Sequence, residues 1–198
     1  MTNPAQPAQP NRVQHRMERT YQVAATPEQV WEAIATADGI SAWMVPTRLD
    51  PQVGGEVSFD LGEFRSRGVV TDYTPNVRFA YEEPWPISTE APIPDSMVEW
   101  FNTLGVAPSE VYRGLASVTP IATEFLIGSA SGGSCVIRVV SSSYGDGADW
   151  ENEFFAEMVA GWGALLDNLA EHLNDATQQT GTLTVATAPK STERGEPQ

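Results

Sequence analysis

The sequence predicts an α+β domain: a strand, short helices, a run of strands and a long closing helix. Three observations predict it. Apolar residues recur at helical spacing from Phe154 to Leu173 and gather on one face. Alternating apolar and polar residues fill 50–61, 63–74, 77–83 and 122–145, the period of half-buried strands. Thr26-Pro27-Glu28-Gln29 then supplies a helix start between the first strand and the others. A chain of 198 residues, 41% of them hydrophobic, suits one domain with a sizeable core.

Taken in order, residues 1–14 are rich in Pro, Gln and Ala and are expected to be a disordered lead. RMERTYQVAA (16–25) reads as a strand. PEQVWEAIA follows as a helix with Val30, Trp31 and Ile34 on one side, stopped near Asp38-Gly39, with a second turn at ISAWM. DPQVGGEVSFDL sets Val57 and Phe59 opposite Ser58 and Asp60. A tight turn at Gly62 leads into EFRSRGVVTDYT, and Pro75-Asn76 turns the chain into VRFAYEE. Residues 84–121 break the rhythm: a proline-rich stretch, a short helix at DSMVEWFNTLG, then VYRGLASV. An insert of this length between strands is expected to be a lid or a mobile segment. Residues 122–145 return to a hairpin, turning near Ser131-Gly132-Gly133. Asp149 caps the final helix, with Glu151 and Glu153 in its positive first turn. The domain is expected over 15–176, with a disordered tail over 177–198.

Composition excludes several function classes. There are 26 acidic residues against 11 basic ones, a net charge of −15. Nucleic acid needs a basic face and is not an expected partner, and an anionic membrane surface is disfavoured likewise. No segment is long and apolar enough for membrane insertion. The only lysine, Lys190, lies in the tail, which removes Schiff-base chemistry from the folded body. The single cysteine, Cys135, allows no disulfide framework and no cysteine-based metal site. The start of the chain lacks an apolar signal core, so a cytoplasmic location is expected.

The residues also carry a resemblance. RTYQVAATPEQVWEAIATADGISAWM, LDPQVGGEVSFD, the G-V-V-x-x-Y-x-P-x-x-R-F-A-Y run at 68–81, SGGSCVIRVVSSSYG and GWGALLDNLAEHL together resemble the SRPBCC (START/birch-pollen-allergen-like) superfamily. Within it, the chain is similar to the branch of the activator of the ninety-kilodalton heat-shock protein ATPase. The likeness spans about 16–173 and implies a helix-grip fold, a curved antiparallel sheet wrapped around the long C-terminal helix. It implies a cavity between sheet and helix, used by relatives for hydrophobic or amphipathic small molecules. The 84–121 insert departs from the branch and sits where it could cover the cavity mouth. The branch offers no shared catalytic motif to carry over, so architecture is implied more firmly than activity.

Candidate cavity-lining residues follow from alternation and from the implied fold: Trp43, Phe59, Phe64, Tyr81, Trp85, Trp100, Phe125, Ile137, Val139, Met158, Trp162 and Leu166. Trp43, Trp85 and Trp100 lie in or beside loops, where a mouth would form; plain core packing is the competing reading for the whole aromatic set. Ser141 is a polar contact, while Glu124 and Arg138 point outward, where a cross-strand ion pair is expected. A register shift of one residue would exchange these faces and bury Arg138. Gly161 and Gly163 fall on the two margins of the helix's apolar face. Glycine costs a helix interior about 1 kcal/mol relative to alanine. Close approach of backbone beside Trp162, or room for a ligand there, would explain both.

Catalytic chemistry is harder to place. His15 falls at the edge of the lead, as a solvated side chain, and His172 near the end of the last helix, where a cation suits the dipole. No nucleophile elbow occurs, so a hydrolase triad is rejected. DGADWENE (146–153) does not match the ligand spacing of an EF-hand, and VGGEVS lacks phosphate-loop spacing. No catalytic residue, metal or cofactor is therefore expected. The first functional reading is a binding protein for a hydrophobic small molecule. A polyketide cyclase or aromatase is the second, requiring Tyr81, Arg78 or Glu82 to face the cavity. A co-chaperone-like interaction domain is the third. Either a monomer or a homodimer is compatible with the sequence.

Overall fold

The computed structural model describes residues 12–62, 65–85, 95–130 and 132–184, with side chains through Asp175. The lead over 1–11 and the tail beyond 184 lie outside the described residues. The elements are β1 (Val13–Val23), α1 (Pro27–Ala35), α2 (Ala37–Trp43), β2 (Thr47–Leu49), β3 (Glu56–Asp60), β4 (Arg65–Thr74) and β5 (Arg78–Glu83). Then come α3 (Asp95–Thr103), α4 (Pro108–Gly114), β6 (Ile121–Ser129), β7 (Cys135–Gly145) and α5 (Asp149–Thr184). The seven strands form one antiparallel sheet in the order β1-β7-β6-β5-β4-β3-β2. The long helix α5 packs on one face of it, beside α1 and α2, as the α+β class requires.

Local chemistry explains the elements. Thr26 and Gln29 form a capping box: Thr26 Oγ1 accepts from Gln29 N at 3.3 Å, and Gln29 Oε1 accepts from Thr26 N at 2.9 Å. Asp38-Gly39 does not end the helical region. Thr36 caps again, its Oγ1 accepting from Gly39 N at 3.0 Å, so Asp38 and Gly39 open α2. In β4 the register shifts between Val70 and Asp72. This bulge turns Tyr73 toward α1, where it meets Trp31 at 4.8 Å and donates to Ala35 O at 2.8 Å.

The outer face carries ion pairs. Arg138 and Arg16 both grip Glu18, and their hydrogen bonds hold its carboxyl down at about 2. Glu124 pairs with Arg78 at 2.9 Å. Glu124 and Arg138 thus face outward as the alternation predicts, yet each takes its partner from another strand.

The inner face holds two cores. The main one joins Val30 and Ile34 of α1, Trp43 of α2, Phe59, Phe79, Tyr81, Phe125, Ile137 and Val139 of the sheet, and Trp162, Leu166, Leu169 and Leu173 of α5. Trp43 Nε1 donates to Ala33 O at 2.9 Å, which ties α2 to α1 from within. The insert builds a second cluster. Trp85, Phe101, Val111, Ile121 and Trp150 form it, with Met97, Trp100 and Phe154 packed against it. Within its described part, 95–121, the insert is therefore a packed pair of helices seated on the start of α5.

Three expectations about polar residues and the last helix change. β1 starts at Val13, before the expected end of the lead, which points His15 inward at 6% exposure. His15 Nε2 donates to Glu151 Oε2 at 3.1 Å, and Glu151 also accepts from Gly147 N at 2.8 Å. Glu151 lies in the first turn of α5 as expected, and there it is a fully buried partner of His15 and of the β7–α5 turn. Gly145 makes room for it, since a Cβ there would lie 2.2 Å from Glu151 Oε2. Helix α5 continues to Thr184, so His172 lies well inside it and the helix-end reading of His172 does not hold.

Candidate functional site

The sheet's strand ends decide where a cavity can form. Because neighbours run antiparallel, β3 and β5 finish at the same end of the sheet at which β4 and β6 begin. The chain leaves β5 at Glu83 and rejoins the sheet at Ile121, so the insert is anchored at that end. A cavity of about 320 Å³ opens there, lined by Leu61, Ser66, Glu83, Met97, Ile121, Phe154, Glu157 and Met158. Its walls are the sheet on one side, the first half of α5 on the other and Met97 of α3 at the insert. Phe154 and Met158, one helical turn apart, present the apolar face of α5 to it.

One polar pair stands in the apolar wall. Phe79 and Tyr81 point inward from β5, and Glu83 continues the same alternation. Gly68 is opposite it on β4, and Ser66, the next inward residue along that strand, donates its hydroxyl to Glu83 Oε2. Burial pushes the Glu83 carboxyl above its ordinary range, against the Ser66 hydrogen bond, which lowers it. Gly68 makes the arrangement possible: a Cβ there would lie 2.5 Å from Glu82 O and 3.2 Å from Glu83 Cβ. Glu157 is exposed at the rim on α5, and Leu61 at the sheet's rim. Tyr81 lies one inward position deeper than Glu83. Burial and the charge of Glu83 raise its phenol well above its usual value.

The sequence-derived site residues distribute over three regions. Trp43, Phe59, Tyr81 and Phe125 surround a void of about 10 Å³, about the space of one water. Ile137, Val139, Trp162 and Leu166 lie in the same core, with Trp162 packed on Phe125 at 6.0 Å. Trp85 and Trp100 belong to the second cluster rather than to an open mouth. Trp85 is 3% exposed and donates to Thr119 O at 2.9 Å. Met158 lines the larger cavity, and Phe64 lies outside the described residues. The glycines of α5 meet no close neighbour: a Cβ at Gly161 or Gly163 finds nothing within 4 Å. Close backbone approach beside Trp162 is therefore not their reason.

Of the acid–base candidates named from the sequence, Arg78 and Glu82 face outward. The β5 carboxyl that reaches the cavity is Glu83, whose signal was its place two residues after Tyr81. Among the described residues, no group of three or more His, Cys, Asp or Glu is arranged to hold a metal ion. Cys135 is buried, and burial raises its thiol above the ordinary value, so it is not poised as a nucleophile. No helix among the described residues is long and apolar enough to cross a membrane.

Comparison with known proteins agrees with this architecture. No curated protein matches the chain. Among solved structures, the fold is similar to that of the Aha1 dimer from Colwellia psychrerythraea, at 17% identity and a TM-score of 0.55. That match covers 80% of this chain and 96% of the other. Protein SA2116 from Staphylococcus aureus is similar at 13% identity and a TM-score of 0.59, covering 85% of this chain and 98% of that one. CalU16 from Micromonospora echinospora is similar at 14% identity and a TM-score of 0.52, covering 87% and 91% respectively. At these identities the likeness shows the fold. The family described as Activator of Hsp90 ATPase homolog 1-like protein matches residues 24–174, and the chain belongs to that family.

Proposed function

We propose that the protein binds a hydrophobic or amphipathic small molecule in the cavity between the sheet, α3 and the first half of α5. The observation that carries this reading is the wall itself. About 320 Å³ is enclosed mainly by Leu61, Met97, Ile121, Phe154 and Met158, with one built-in polar pair, Glu83 and Ser66. Small-molecule sites have this composition and span about 300–1,000 Å³, so the ligand is small. Of the residues expected from sequence, Met158 is the direct wall. The buried aromatic layer of Trp43, Phe59, Tyr81, Phe125 and Trp162 acts as the rigid floor that holds the strands in place.

A neutral lipophilic fluorophore should be taken up and then displaced by members of a panel of small apolar compounds. Met158→Trp should abolish uptake by filling the cavity, with the thermal midpoint retained. Uptake unchanged in Met158→Trp, or no displacement by any compound, refutes the reading. Cyclase-type proton transfer is the second reading, favoured by the Glu83 carboxyl at the cavity wall, whose pKa burial raises. It requires chemical conversion of a bound compound by the native protein and none by Glu83→Gln.

A further inference from the structure

We propose that the cavity selects a cationic amphiphile, an apolar chain or ring with one protonated amine seated between Glu83 and Glu157. This rests on the ligand-binding reading above and adds the charge of the ligand. Two glutamates line the cavity from opposed elements, Glu83 from β5 and Glu157 at the rim on α5, and among the described residues no lysine, arginine or histidine lines it. Where acids of the sheet lie beside an arginine they pair with it: Asp60 with Arg65, Glu18 with Arg16 and Arg138, and Glu124 with Arg78. Among the described residues, neither cavity glutamate forms an ion pair.

Among the described residues Glu83 accepts one hydrogen bond, from Ser66, and a hydroxyl has a single proton to give, so Ser66 satisfies only part of a carboxylate's acceptor capacity. A carboxylate drawn out of water is costly unless it meets a cation. An ammonium with three donors supplies that partner, and the ring of Phe154 on the same wall adds a face for cation–π attraction. Burial holds the Glu83 pKa above its ordinary range, and a cation beside it would favour the charged form. An anionic amphiphile meets the opposite field: two carboxyl groups at the site and a chain of net charge −15.

The test holds the apolar tail constant and changes the head. Octylamine, octanol and octanoate compete against a neutral fluorophore on the full chain at neutral pH and physiological salt. Octylamine should compete at least about tenfold better than octanol, and octanoate worse than either. Glu83→Gln should bring octylamine to within about threefold of octanol, with thermal unfolding as the check on folding. Glu157→Gln, at the exposed rim, should reduce the preference less.

Octanol binding with no gain for octylamine overturns the charge assignment and leaves the ligand-binding reading standing. An amine preference that survives in the Glu83→Gln/Glu157→Gln double variant also overturns it, because general surface charge would then be the cause. Failure of all three compounds overturns both readings.

Discussion

Removing the His15 ring tests the least expected part of the interior. Glu151 is fully buried and accepts from His15 Nε2 at 3.1 Å, Gly147 N at 2.8 Å and Asp146 N at 3.3 Å. His15→Ala deletes the side-chain donor and keeps both backbone donors. Loss of a hydrogen bond to a charged acceptor costs about 1.5–3 kcal/mol. The ring also packs on Phe155 at 5.4 Å and on Trp85 at 6.1 Å, so its removal leaves a hole worth on the order of 1 kcal/mol.

Together the expected loss is about 3 kcal/mol, or a fall of roughly 6–12 °C in Tm for a domain of this size. Urea unfolding followed by tryptophan fluorescence reads it as a shift in midpoint at constant slope. His15→Phe separates the two contributions, because it refills the hole and should recover only the packing part. A loss below about 0.5 kcal/mol for His15→Ala, the range of ordinary surface changes, would refute the buried pair.

Two further outcomes follow from the same geometry. Gly161→Ala and Gly163→Ala place a methyl in open space on α5, so each should stabilise by about 0.5–1 kcal/mol through helix propensity. A lower Tm in either would show that backbone does approach there. The Glu83 carboxyl, raised in the folded state, binds its proton more tightly there than in the unfolded chain. Its contribution is therefore favourable below the ordinary glutamate pKa and is lost as pH rises through the raised folded value. Glu83→Gln should gain stability relative to the native protein above that window, and the pH dependence of the difference should vanish below it. A difference that grows toward acid pH, read by thermal melts across pH, would contradict the sign.

Much of the fold was legible because its signals are local. The capping box at Thr26 and Gln29, the alternation of β3 to β7 and the apolar stripe of α5 each lie within a dozen or so residues. Three-residue β2 offers too short a pattern to alternate, and it forms because Thr47–Leu49 pairs with Val57–Phe59. The site was legible in part. Alternation from Phe79 and Tyr81 reaches Glu83, but the resemblance directed attention to the aromatic layer, which the side chains fill. Nothing local marks His15 as the partner of Glu151, 136 residues away. Nor does the proline-rich insert reveal that Phe101, Val111 and Trp150 will meet. Those contacts depend on how the β5–β6 connection folds back over the start of α5.

Met158 packs against both cores and also faces the cavity. The chamber thus lies at the seam between the two packed clusters, and its dimensions depend on how α3 seats against the sheet and α5. Substitutions in α3 can resize or reshape the chamber while the aromatic layer beneath keeps the sheet intact. The shape of the chamber and the stability of the sheet can then be varied separately, with α3 as the adjustable wall.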